Sequence, residues 1–221
     1  MFNGNFRKTS SRVLDRVGFL LAKTRIPPNV FSALALVIAA IGSGFFYLRL
    51  YLPAFLFILT ACLWDTIDGG VARGEGRVTK FGYYLEGIID KWVEIIIYIG
   101  FAASGYALES LLVVSATLML SFAKPRAAMV VPIGEHDWPA IGERFDRLLL
   151  LNIGLAAFLV WPAAQIGPTI LPTLRIVLVI LFFIVLVGSI QRILYARKLI
   201  ALGGTDKLHV ACRDVFANPV K

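Results

Sequence analysis

Six long apolar stretches dominate the pattern of hydrophobic and polar positions along this chain. A bilayer core of about 30 Å needs about 20 apolar residues in each helical span. Polar turns and the helix breakers Pro27, Pro28, Pro53, Gly167 and Pro168 separate the stretches. The predicted spans are residues 26–48, 54–72, 82–105, 111–127, 148–164 and 172–195. The pattern therefore predicts an all-α, polytopic membrane protein with six transmembrane helices.

The first residues of the chain are less apolar than this predicted bundle. They mix hydrophobic positions with Arg12, Arg16 and Lys23, which is typical of a basic amphipathic helix lying at the membrane interface. They lack an uninterrupted apolar region and a cleavage box, which argues against a removable signal peptide. We predict a single domain over 1–221, with a juxtamembrane helix at 1–25, a six-helix bundle at 26–200 and a cytosolic tail at 201–221.

The composition agrees with a membrane protein and excludes other classes. Of 221 residues, 58% are hydrophobic and 16% are charged, which is too apolar for a water-soluble chain of this size. The net charge of +8 would suit nucleic acid, but an excess of Lys and Arg is also what the positive-inside rule and anionic lipids predict. We therefore expect membrane lipids as partners and no nucleic acid. Cys62 and Cys212 are far apart in the sequence and favour neither a disulfide nor a thiolate metal site.

Four acidic residues on the second and third spans are the candidate chemistry. Asp65 and Asp68 are three residues apart, and Glu86 and Asp90 are four apart, so each pair shares one face of its helix. The short polar turn between the spans makes the two pairs face one another. Unpaired, four such acids would cost on the order of 10 kcal/mol in a bilayer. A hard divalent cation with oxygen ligands removes this cost, and we predict Mg²⁺ or Mn²⁺.

Small residues beside the acids indicate a phosphate-bearing ligand. Gly69, Ala72 and Gly82 leave the helix surfaces bare near the carboxylates, so a ligand can lie against the backbone. Mg²⁺ is typically held by a few carboxylates together with substrate phosphates. Arg73 shares the helix face of Asp65, and Thr79 in the turn adds a hydroxyl donor. The pattern predicts a metal site that binds a phosphorylated substrate.

Intramembrane acids also occur in ion-coupled transporters, where they form a cation site. Such a carrier is expected to have inverted internal repeats with broken helices in both halves. The second half of this chain has no counterpart of the acidic stripe. The residues alone leave a membrane enzyme and a carrier as alternatives, and the missing repeat favours the enzyme.

The distribution of Lys and Arg orients the predicted bundle. These residues precede the first span, follow the second, lie between the fourth and fifth and close the sixth. The opposite loops, around residues 49–53, 104–109 and 165–171, are nearly uncharged. By the positive-inside rule, both termini and the acidic cluster are expected to be cytoplasmic in a multi-pass protein of the cell membrane.

The acids and their neighbours closely resemble the signature of the CDP-alcohol phosphotransferases, D-x2-D-G-x2-A-R-x8-G-x3-D-x3-D. The segment from Asp65 to Asp90 agrees at seven of the eight fixed positions, with every spacing intact. Glu86 replaces an Asp of the signature and keeps the carboxylate. Members of the family transfer a phosphatidyl-type group from a CDP-linked lipid to an alcohol and release CMP.

The resemblance implies a role for each of these residues. It implies that Asp65, Asp68 and Glu86 hold metal ions on the CDP pyrophosphate, and that Asp90 is the base for the acceptor hydroxyl at the edge of the metal site. The six-span layout and the interfacial helix also look like this family, which further implies a homodimer. The expected donor-binding residues are Asp68, Gly69, Ala72, Arg73, Thr79 and Gly82.

Basic residues of the later spans are the candidate acceptor site. Lys124, Arg126, Arg144 and Arg192 are more cations than orientation requires, and charge-assisted contacts with them suit a phosphorylated polyol. The segments SFAKPRA, GERFDRLLLL and QRILYAR are similar to the branch of phosphatidylinositol phosphate and archaetidylinositol phosphate synthases. We expect inositol phosphate as the acceptor, with glycerol phosphate, as in a phosphatidylglycerophosphate-type synthase, as the alternative.

Two further charged residues have open interpretations. Arg147 follows Arg144 by three residues and is interpreted either as a headgroup anchor or as a substrate contact. Glu94 follows Asp90 by one helical turn and is expected to pair with a lysine or to reach the interface, with a catalytic role as the less favoured alternative.

Overall fold

The computed structural model describes residues 28–74, 80–132, 140–166 and 169–203. This part of the chain is mostly helical, as predicted. The long helices are α1 (Pro28–Tyr47), α2 (Tyr51–Gly74), α3 (Lys80–Phe101), α4 (Ala107–Ala128), α5 (Arg144–Val160) and α6 (Thr173–Leu202). The predicted interfacial helix at 1–25 and most of the predicted tail lie outside the described residues.

Prolines and glycines place the helix ends. Pro28 opens α1, where the N–H that proline lacks has no helical partner. Trp161 precedes Pro162 and has left the helical conformation, so α5 ends at Val160 rather than at the predicted residue 164. Gly203 closes α6 in the left-handed conformation at φ 79°.

A short β-hairpin corrects the prediction of an all-α fold. Strands β1 (Ala163–Ile166) and β2 (Thr169–Pro172) pair antiparallel between α5 and α6, with Ala163 opposite Pro172. The chain has reversed direction between Ile166 and Thr169, which form the last pair of the ladder, so these two four-residue segments satisfy their backbone groups with each other and not within a helix. The hairpin thus occupies the connection that was predicted to belong partly to the fifth span.

Two described segments are long and apolar enough to cross a membrane, namely Tyr84–Ala128 and Thr173–Leu202. The first contains most of α3 and all of α4, which are joined by a π-helical turn where Gly105 has a φ of 100°. Glycine takes this conformation without steric cost. Shorter apolar helices cover Ala33–Tyr47 and Tyr51–Trp64. These helices are consistent with a membrane protein. That the chain crosses the membrane six times stays a prediction.

Small residues allow the first three helices to pack closely. Helix α1 packs against both α2 and α3, and α2 and α3 also contact each other. A Cβ at Gly100 of α3 would lie 2.6 Å from the Cβ of Ser43 in α1, so only glycine fits this crossing. The Ser43 hydroxyl donates to the Ile96 carbonyl at 2.9 Å. Such close packing and interhelical hydrogen bonding are typical of helix association in membranes.

The other three helices form the remainder of the bundle. Helix α6 packs against α4 and α5, and α5 also contacts α2. Large apolar side chains such as Leu111 and Phe183 are exposed on the outside of these helices, where a bilayer would cover them. Charged side chains are meanwhile buried inside. The buried charged residues, Glu94 and Arg147, thus lie in the interior of the bundle, and the apolar side chains lie on its surface.

Candidate active site

Neighbouring helices carry the four acids predicted to hold metal. Asp65 and Asp68 belong to α2, and Glu86 and Asp90 lie one turn apart on one face of α3. The side chains of residues 65–74, and the whole of Thr79, lie outside the described part of the structure. Among the side chains that are described, no three His, Cys, Asp or Glu groups come together as a metal site. The predicted ligands and donor-binding residues therefore stay predictions, although an all-carboxylate set fits the oxygen preference of Mg²⁺ and Mn²⁺.

The predicted base and one predicted acceptor residue are in direct contact. Arg144 Nη1 lies 2.6 Å from Asp90 Oδ2, and both side chains are partly buried. Arg144 is the first residue of α5, and Asp90 lies near the middle of α3. The fold thus brings together two groups that are far apart in the sequence, at a separation typical of a charge-assisted hydrogen bond.

A second ion pair lies one helical turn further along both helices. Arg147 of α5 donates from Nε to Glu94 Oε2 at 3.1 Å and from Nη2 to Glu94 Oε1 at 2.8 Å. Each of the two side chains is only 2% exposed. A buried charge is tolerated when it is paired and hydrogen-bonded, and this two-pronged geometry satisfies both carboxylate oxygens. We call the two pairs, Asp90–Arg144 and Glu94–Arg147, the ion-pair ladder.

This second pair resolves two interpretations that the sequence left open. Glu94 does pair with a lysine, because Lys91 Nζ donates to its Oε1 at 3.2 Å, and its burial excludes a position at the interface. The interpretation of Arg147 as a headgroup anchor is wrong, because its guanidinium is enclosed by protein. The partnership itself was missed. The sequence did contain a sign of it. Asp90 and Glu94 are four residues apart and Arg144 and Arg147 are three apart, so each pair shares one helix face, and two such faces in contact would form two ion pairs.

Arg147 also holds the backbone that leads into α5. Its Nη1 donates to the carbonyl of Gly142 at 2.7 Å. Gly142 has a φ of 76°, a conformation that glycine adopts without strain. The neighbouring Ile141 N–H donates to Gln191 Oε1 of α6 at 3.0 Å. The segment before α5 is therefore held by one side chain of α5 and one of α6.

The remaining predicted acceptor residues lie in different environments. Arg192 of α6 is largely buried, donates to the Leu120 carbonyl of α4 at 2.6 Å and lies 3.4 Å from Glu143 Oε1. Lys124 is partly buried and follows Leu120 by one turn of α4. Arg126 is exposed, and its Nη1 lies 3.8 Å from the Met129 sulfur. The described contacts thus associate Arg144 with Asp90 and place Arg192 near the turn that carries Lys124, whereas Arg126 lies apart.

The arrangement combines a carboxylate that can accept a proton with guanidinium groups that can bind an anion. Asp90 provides the carboxylate, and Arg144 provides a guanidinium in contact with it. Hydrogen bonds between charged groups are stronger in a partly buried site such as this one than in open water. An acceptor that carries both a hydroxyl and a phosphate would match these two groups.

Comparison with known proteins identifies a family and several relatives. Residues 25–163, more than half of the chain, match the family model described as CDP-alcohol phosphatidyltransferase. The archaetidylinositol phosphate synthase of Pyrococcus horikoshii is 27% identical over 196 residues, which cover 86% of this chain and 94% of that protein. The phosphatidylinositol phosphate synthase of Streptomyces avermitilis is 26% identical over 212 residues, which cover 90% of this chain and 83% of that protein.

Solved structures share the fold. The phosphatidylinositol phosphate synthase of Mycobacterium tuberculosis with CDP-DAG bound matches with a TM-score of 0.68 and 19% identity, over 84% of this chain and 94% of that chain. The same protein in complex with manganese and citrate matches with a TM-score of 0.67 and 19% identity, over 83% of this chain and 88% of that chain. The helical architecture described above is therefore also the fold of that protein.

Proposed function

This chain belongs to the CDP-alcohol phosphatidyltransferase family, and from that premise we propose that its acceptor is a phosphorylated polyol. It is a membrane transferase of phospholipid biosynthesis. We propose that it transfers a phosphatidyl-type group from a CDP-linked lipid to a hydroxyl of the polyol and releases CMP. Family membership decides against the ion-coupled transporter that the acids alone left open.

The observation that carries the proposal is the contact between Asp90 and Arg144 at 2.6 Å. A phosphate bound by Arg144 would bring the rest of a small polyol within reach of the Asp90 carboxylate. Asp90 would accept the proton of one hydroxyl, whose oxygen then forms a bond to the phosphorus attached to the lipid. The bond from that phosphorus to the bridging oxygen breaks, and CMP leaves with the bond's electron pair.

We propose the metal site because its four predicted ligands are all carboxylates. Asp65, Asp68, Glu86 and Asp90 would hold Mg²⁺ or Mn²⁺, which both prefer carboxylate oxygen. A structure of a protein with the same fold contains manganese, which supports this choice. When bound, the ion neutralises the pyrophosphate and stabilises the departing CMP. Glu86 keeps the ligand type of the family signature with one additional methylene.

The donor site is proposed around the signature segment. The bare helix surface at Gly69, Ala72 and Gly82 would accommodate the pyrophosphate close to the backbone, with contacts from Asp68, Arg73 and Thr79. A structure of the Mycobacterium tuberculosis protein holds CDP-DAG, which supports a CDP-linked lipid as the donor. We further propose a homodimer in the cell membrane, with both termini and the active site on the cytoplasmic side.

The acceptor is proposed as inositol phosphate. The named relatives act as archaetidylinositol phosphate and phosphatidylinositol phosphate synthases, at 26% to 27% identity. A phosphomonoester carries close to two negative charges near neutral pH, which suits Arg144, Arg192 and Lys124. Glycerol phosphate offers the same phosphate on a smaller polyol and is the second candidate.

The proposed function is tested by CMP release from a CDP-linked lipid in detergent with Mg²⁺. Acceptors are compared as matched pairs, inositol phosphate with free inositol and glycerol phosphate with free glycerol. We expect turnover with a phosphorylated member only, and we expect Asp90→Asn to abolish it. Equal use of the free polyols would contradict the acceptor proposal, and full activity of Asp90→Asn would contradict the role of the base.

A further inference from the structure

The ion-pair ladder has a rung that touches the proposed chemistry and a rung that does not. Asp90 and Arg144 form the first rung, and the fully buried Glu94 and Arg147 form the second. Arg144 also faces the second rung, because its Nε lies 3.8 Å from Glu94 Oε1. The Arg144 guanidinium is thus placed between two carboxylates that belong to successive turns of α3.

Glu94 is the anion around which three cations gather. Arg147 contacts it through two hydrogen bonds, Lys91 approaches at 3.2 Å, and Arg144 completes the group at 3.8 Å. Without the Glu94 charge, the two arginines would repel each other with no carboxylate between them. Asp90 would then be the nearest acid of the ladder for both, and Arg144 would have to share it.

Arg147 restrains Arg144 through the backbone as well. Its hydrogen bond to the Gly142 carbonyl fixes the segment two residues before Arg144, which begins α5. A Cβ at Gly142 would come within 3.3 Å of Val185, so this segment lies directly against α6. Besides its contact with Asp90, Arg144 is therefore restrained by the charge of Glu94 and, through the backbone at Gly142, by Arg147.

We infer that Glu94 and Arg147 are positioning residues, which hold the Arg144 guanidinium beside Asp90 and thereby set the binding site for the acceptor's phosphate. This inference rests on the proposed function, since it assigns Arg144 to the acceptor. Neither residue touches the donor or the reacting atoms in this scheme. Their effect on the reaction passes through Arg144.

The central variant is Glu94→Gln, which removes the charge and keeps the size of the side chain. We expect the acceptor KM to rise about 10- to 100-fold, because a displaced binding group costs rate steeply. The donor KM should change by less than about twofold, because neither Glu94 nor Arg147 touches the donor. In an Arg144→Gln background, the same change should add nothing, since two changes that act through one group are not additive.

A matched control lies in another ion pair of the same protein. Glu109 pairs with Arg175 at 2.6 Å, between α4 and α6, and neither residue has been assigned to the site. Glu109→Gln makes the same chemical change as Glu94→Gln. We expect it to leave both KM values unchanged.

A second variant covers the case in which Glu94→Gln does not fold. The double change Glu94→Gln with Arg147→Met removes both charges of the buried rung. Lys91 loses its contact with the Glu94 carboxylate, but its side chain is 26% exposed and can be solvated. The double variant should fold and show the same selective rise of the acceptor KM. A rise of donor and acceptor KM by the same factor, or additive effects with Arg144→Gln, would show that the rung is only structural and would overturn the inference.

A structure of the Glu94→Gln variant gives a test that does not depend on turnover. We expect the contact between Arg144 Nη1 and Asp90 Oδ2 to be lost there, and an unchanged contact would refute the inference. Failure of the proposed function would look different. The wild-type protein would then release no CMP with any phosphorylated polyol, whatever the variant structure shows.

Discussion

Removal of Arg147 alone should destabilise the protein more than removal of both charges of the buried rung. Arg147→Met deletes two hydrogen bonds to Glu94 and one to Gly142, at 2.7 to 3.1 Å. It leaves the Glu94 carboxylate buried, with Lys91 as its closest remaining cation. Breaking a buried pair in this way costs about 3–5 kcal/mol.

The double variant Glu94→Gln with Arg147→Met should recover about 2 kcal/mol of this loss. It removes both charges of the rung, so the main remaining cost is the unsatisfied Gly142 carbonyl, about 1–3 kcal/mol. The partly exposed Lys91 also loses its carboxylate partner, which adds about 1 kcal/mol or less. The control Glu109→Gln affects a pair whose arginine is 41% exposed, and it should cost no more than about 1 kcal/mol.

The assay is unfolding in detergent, followed by circular dichroism or by the reactivity of the buried Cys62. The expected order of stability is wild type, Glu109→Gln, the double variant and then Arg147→Met. A single Arg147→Met variant within about 1 kcal/mol of wild type would refute the reasoning. A double variant as unstable as the single one would do the same, because the loss would then not come from an unpaired charge.

Three further predictions concern the metal, the acceptor and the topology. EDTA should abolish CMP release, and Asp65→Asn or Asp68→Asn should do so while the helical circular dichroism is retained; activity in EDTA would contradict the metal site. Arg144→Gln should lower kcat/KM for the acceptor by about 30- to 1000-fold, equivalent to about 2–4 kcal/mol, with the donor KM little changed. The exposed Arg126→Gln is its matched control and should have little effect, so equal losses would show a general effect of positive charge. A cysteine at Thr9 should resist impermeant reagents applied from outside the cell, and labelling there would reverse the predicted orientation.

Local patterns determined the helices because the forces that form them act over short stretches. Each apolar run longer than about 15 residues became a helix, since a bilayer leaves the backbone no partner except itself. Pro28 and Gly203 mark helix ends through their own backbone geometry. The hairpin at residues 163–172 was missed because four-residue strands beside a turn show no periodicity that distinguishes them from the end of a helix.

The family signature could also be recognised in the sequence, because its acids lie on consecutive predicted helices. Asp65 and Asp68 belong to the first of these helices and Glu86 and Asp90 to the second, and the spacing within each helix already places the carboxylates on shared faces. The sequence placed Arg144 in the candidate acceptor site, but spacing alone could not select it among several cations as the partner of Asp90.

Only the tertiary structure decided which charges are buried and with whom. An arginine near the start of an apolar helix looks the same in sequence whether it binds lipid headgroups or a buried carboxylate, and Arg147 is the second case. Glu94 and Arg147 are 53 positions apart, so no local period connects them. Their pairing follows from how α3 and α5 are held in the bundle, and burial then makes it necessary, because two opposite charges removed from water are stable only together.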